Sequence, residues 1–185
     1  GKAVDEQFAK DYVTFTQGGA ADAAKQIAQL KDVQKSLGGQ NPNLTGPFIG
    51  STPDALLKFK NPNAIAMRER VEEVVQRSLR SILGAQFTEK EGERLIARAY
   101  NPNMKESENL IRVNRLTKQL EEAFRAKQSA AAYFEKNNTL DGWKGKLPSV
   151  SDFDPEKETV EGKIGKPQIS DKTREFLRAQ GVIVD

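Results

Sequence analysis

The sequence predicts an all-α fold: about five helices forming a small bundle, one long helix near 107–136, and an extended C-terminal tail. Three observations carry that prediction. Apolar residues recur at spacings of three and four through most of the first 137 positions, the period of a helix with one buried face. Helix starts and stops are marked locally by Asn-Pro, Thr-x-x-Glu and Gly signals around those stretches. Charged residues make up 30% of the 185 positions and hydrophobic ones 37%, which suits a solvated surface over a modest core in one ordinary domain with a tail.

The elements follow in order. Phe8, Tyr12, Val13 and Phe15 open the chain ahead of Gly18-Gly19. Ala20, Ala24, Ile27, Leu30 and Val33 then run to Leu37 as a second helical pattern, which Gly38-Gly39 ends. Two Pro and two Gly make 41–50 a loop, and Thr52-Pro53-Asp54 opens a short helix through Phe59. Asn61-Pro62 starts the next helix. Its Val71, Val74, Val75, Leu79, Ile82 and Leu83 share a face, and Gly84 stops it.

Thr88 and Glu91 form a capping box, the hydroxyl taking the Glu91 amide while the carboxylate reaches back. The helix they open presents Gly92, Leu95, Ile96 and Ala99, with Gly92 allowing close approach of a neighbour, and Tyr100-Asn101-Pro102 stops it. Ser107 is expected to cap the longest helix. There Val113, Leu116, Leu120, Ala123, Lys127, Ala130 and Phe134 fit a heptad with Lys127 as its flaw, so packing within one domain is preferred to a coiled coil. Asn-Pro-Asn at 41–43, 61–63 and 101–103 is punctuation rather than a repeat.

Beyond Asn137-Asn138, Pro and Gly interrupt every long element, and from Trp143 to Ile169 hydrophobic residues appear singly. This pattern predicts three parts: an N-terminal helical segment and loop at 1–60, a helical core at 61–143 built from the 62–83, 89–100 and 107–136 helices, and a tail at 144–185. The tail holds one short helix carrying Phe176 and Leu177. Trp143, Phe153, Phe176 and Leu177, with Leu120 and Phe124 on the long helix, are the candidate partner-binding residues, since large apolar anchors dominate such contacts.

Catalytic chemistry has little to work with. There is no His and no Cys, which removes Ser–His and Cys–His pairs and the commonest zinc ligands. Gly162 to Lys166 lacks phosphate-loop spacing and reads as a basic turn. Asp152, Asp154, Glu156 and Glu158 lack the glycine and final Glu of a calcium loop. Glu106-Ser107 matches the Glu-Ser pair of lytic transglycosylases but not the downstream motif of that family. A non-enzymatic chain without cofactor or metal is expected.

No window approaches the roughly 18 apolar residues of a membrane span, so any membrane contact would be transient. A first residue of Gly suggests a fragment. Arg77, Arg80, Arg112 and Arg115 are candidate DNA-backbone contacts, although Glu73–Arg77 and Glu121–Arg125 are spaced as i, i+4 pairs that would spend the charge on the helix itself.

The run from Val71 to Arg80, the string Gly84-Ala85-Gln86-Phe87-Thr88-Glu89-Lys90-Glu91-Gly92-Glu93, Leu95 to Pro102, and Tyr133-Phe134-Glu135 with Thr139-Leu140-Asp141-Gly142 together resemble a segment of tailed-bacteriophage structural proteins of the internal virion or DNA-ejection type. The resemblance spans about 60–145 and brings no catalytic motif. It implies a virion location after expression in the bacterial host cytoplasm. The implied partners are other virion proteins, in a homo-oligomer or multi-copy assembly, with non-specific DNA contact as the alternative role.

Overall fold

The computed structural model describes residues 1–39, 44–56 and 61–153. Phe176, Leu177, the basic turn at 162–166, the first Asn-Pro-Asn and the end of the short helix at Phe59 lie outside those residues. The described chain is all-α, with six helices: α1 (Lys2–Thr14), α2 (Ala20–Gly38), α3 (Pro47–Ser51), α4 (Pro62–Leu83), α5 (Glu89–Ala99) and α6 (Glu106–Asn137). The short α3 falls where a loop was expected. Pro47 sits at its first position, where a missing N–H costs nothing, and the Gly46 amide just ahead donates to the Pro102 carbonyl at 2.8 Å.

A π-turn over Phe15–Gly19 joins α1 to α2, with Gly18 at φ 140° taking a conformation few other residues tolerate. The local start signals act as read. The Asn61 side chain accepts the Ala64 amide at 3.2 Å. The Glu91 amide donates to Thr88 Oγ1 at 3.3 Å, and the Thr88 amide to Glu91 Oε2 at 3.0 Å. Gly92 is buried, and a Cβ there would lie 2.5 Å from the Gln76 side chain of α4 and 2.6 Å from Phe87. Ser107, however, is not the cap of α6. Lys105 occupies that position without a side-chain bond, and Glu106 begins the helix with its carboxylate accepting the Leu44 amide at 2.6 Å.

The core differs from the three-helix expectation, because α2 lies against both α4 and α6. Its Ala23, Ile27, Leu30, Val33 and Leu37 pack among Val71, Val74, Val75, Leu79 and Ile82 of α4 and Val113, Leu116 and Leu120 of α6. The apolar face of α2 is thus shared between two neighbours, which makes it the central helix. Leu120 is fully buried there and is not available to a partner. Phe124 is half-buried, bridging this core to a second cluster and meeting Phe15 edge-on at 6.0 Å.

That second cluster packs α1 onto the far half of α6, with Phe8 and Tyr12 at 5.3 and 5.4 Å from Phe134. The chain then turns at Asn138 (φ 54°) and runs back over the bundle. Asp5 of α1 accepts the Leu140 amide at 2.8 Å and the Thr139 hydroxyl at 2.7 Å. Trp143 is half-buried against the Phe8 cluster, its Nε1 donating to Ser129 Oγ at 3.2 Å. A short 3-10 turn at Val150–Phe153 drives Phe153 into the main core, leaving it 4% exposed.

Trp143 and Phe153 are therefore internal anchors, and the tail does not begin at 144. The compact unit is Gly1–Phe153, and Asp154–Asp185 is a separate one. Single anchors docked from an irregular segment leave no period in the sequence, which is why this boundary was missed.

Candidate binding groove

Lys127 is the residue from which the site is built. Its position on the apolar face of α6 carries it inward, to 3% exposure, and a buried ammonium needs partners. Nζ donates to Asp11 Oδ2 of α1 at 2.8 Å and to the Ser81 carbonyl of α4 at 3.3 Å, and it stands 5.0 Å from the centre of the Phe15 ring. The heptad flaw is thus the point where α1, α4 and α6 are tied.

Asp11 reaches this point because α4 ends at Gly84. There φ 60° and ψ −134° suit glycine alone, and a Cβ would collide with the Asp11 carboxylate. Around the pair opens a cleft of about 600 Å³ between α1, the end of α4 and the returning segment. Phe8, Ile82, Leu83 and Leu147 give it an apolar floor. Val4, half exposed, stands on the lip, and Lys10 and Arg80 bring positive charge to the rim.

The arginines named from sequence are each engaged within the protein. Arg77 bridges Asp22 at 2.8 Å and Glu73 at 3.2 Å, and Arg80 lies 3.6 Å from Glu89. Arg112 donates to the Arg98 carbonyl at 3.0 Å, and Arg115 is also engaged. Of the four, only Arg80 lines the groove. The Glu121–Arg125 pair forms at 3.9 Å.

Sequence reasoning missed the Asp11–Lys127 tie, the Asp22 cluster that also takes the Ser81 hydroxyl at 3.2 Å, and fully buried Asn109. Asn109 accepts the Asn101 amide at 2.9 Å and donates to its carbonyl at 2.8 Å, closing the turn before α6. The one available signal was a charged residue on an apolar face.

Asp152, weighed as a calcium ligand, instead accepts the Ser149 amide at 2.7 Å and pairs with Lys146. Among the described residues no group of three or more acidic, His or Cys side chains is placed to hold a metal, and no helix is long and apolar enough to cross a membrane. No protein family, curated protein or solved structure matches this chain.

Proposed function

We propose that the chain is a non-enzymatic structural module of a tailed-bacteriophage particle, associated with the ejection apparatus and working through protein–protein contacts. The observation that supports this reading best is the α1–α4 groove, an apolar floor under a basic rim. Charge complementarity defines its occupant as a segment of another virion protein that carries an apolar side chain beside a carboxylate. The phage setting rests on the sequence resemblance over 60–145. Engagement of Arg77 with Asp22 and Glu73, and of Arg112 with the Arg98 carbonyl, counts against the nucleic-acid alternative, since DNA affinity comes largely from cations spent on phosphates.

The test uses lip residues that the core does not need. Val4→Asp with Lys10→Glu should leave the helical spectrum and melting unchanged and reduce incorporation of the chain into particles severalfold. Normal incorporation would remove the groove as the interface. Absence of the unmodified chain from purified particles would overturn the setting itself.

A further inference from the structure

We propose that a second groove, between α4 and α5, binds the guanidinium group of an arginine presented by a peptide segment. This groove encloses about 940 Å³, and Glu69, Glu72 and Glu73 of α4 with Glu93 of α5 line it. Its cation, Arg68, already donates to Asp54 at 2.8 Å, and Glu73 is shared with Arg77 at 3.2 Å. Glu69, Glu72 and Glu93 form no ion pair among the described residues, so the groove is left negative.

The acidic lining alone would not make a site. The second observation is a set of buried polar atoms that find no hydrogen-bond partner among the described residues: Tyr100 Oη, Gln76 Oε1 and Arg68 Nε, all on groove-lining residues. Tyr100 is only 3% exposed. Burial pushes its hydroxyl up to about 12, with Arg68 opposing and Glu106 and Glu72 adding to the rise. The hydroxyl thus stays protonated at ordinary pH, and it lies close enough to Arg68 and Glu72 to feel groove charges.

These orphans specify the ligand. Two oxygens ask for donors beside free carboxylates, which a planar fork of five N–H groups supplies. The guanidinium is more weakly hydrated than an ammonium and lies readily against apolar walls, here Ile96 and Ala97. Arg68 Nε asks for an acceptor, which the carbonyl of a peptide backbone provides and a free polyamine cannot.

The full chain is titrated with acetyl-Gly-Arg-Gly-amide and followed by amide chemical shifts. The lysine and citrulline versions and spermidine serve as comparisons. Shifts should gather at 68–76 and 93–102. The citrulline peptide should bind at least about tenfold more weakly, because a hydrogen-bonded charge is lost. Tyr100→Phe should weaken binding about fivefold while melting at or above the parent temperature, since it removes only an unpartnered hydroxyl.

Three results would each overturn the proposal: spermidine binding as tightly as the arginine peptide, shifts spread over the acidic surface, or an unaffected Tyr100→Phe variant. The Val4→Asp/Lys10→Glu protein should bind the peptide normally, so this site stands or falls apart from the first groove.

Discussion

Lys127→Met isolates the tie at the centre of the bundle. Methionine fills nearly the same volume, so the change removes the charge and two hydrogen bonds rather than opening a cavity. Breaking a buried pair by removing one partner costs about 3–5 kcal/mol. The Asp11 side chain, however, is 28% exposed, and water can reach it once Lys127 is gone. The expected cost is therefore below that range, about 2 kcal/mol, or about 4–8 °C in melting temperature for a protein of this size.

The reverse change is worse. Asp11→Asn leaves an ammonium with 3% exposure facing a neutral amide and one carbonyl, at about 3 kcal/mol. If the two groups act as a pair, the double variant should lose only about 2 kcal/mol, giving a coupling of about 3 kcal/mol. Urea unfolding followed by circular dichroism, with the slope checked for constancy, measures all three. Losses that simply add in the double variant would refute the pairing argument, as would an unchanged Lys127→Met protein.

Thr88→Ala should cost about 1 kcal/mol by stripping first-turn amides of α5 of their partner, read from the same unfolding curves. The Leu140 amide and the Thr139 hydroxyl hold Asp5 below the ordinary carboxylate range. Folding stability from this contact should accordingly be complete above the unfolded value near about 3.9 and fade as pH falls through the lower folded one. Trp143 fluorescence should report the release of the returning segment in acid. Asp152 is also lowered, its desolvation outweighed by Lys146 and Ser149, so the difference between the parent and Asp5→Asn isolates the Asp5 contribution; identical profiles would refute it. Ending the chain after Trp143 should cost at least about 3 kcal/mol more than ending it after Phe153, because Phe153 leaves the core. Equal melting of the two truncated proteins would restore the earlier tail boundary.

What could be read in the sequence depended on how far apart the interacting residues are. Thr88 meets Glu91 three positions on, and Asn61 meets Ala64 at the same distance, so residue type and spacing are enough to name both bonds. The apolar faces of α4 and α5 were legible for a related reason, since regular elements repeat their buried positions. Leu30 and Val33 on α2 kept the right period, but period says only that a face is buried. It does not say that the Ala-rich helix carrying them will be the one its neighbours surround. Phe153 carries no period at all.

The Asp11–Lys127 bond spans 116 positions and the Asp5–Leu140 bond 135, and no local rule reaches that far. Lys127 nonetheless announced half of its bond. A charge on a face otherwise made of Leu, Val and Ala must either break the helix packing or find an acid, because an unpaired buried ammonium costs more than a domain of this size can spare. A charge at such a position is a demand for a partner, and here an N-terminal acid, Asp11, meets it. Gly84 serves that bond in two ways: it stops α4, and the absence of a Cβ there leaves the space that the Asp11 carboxylate fills.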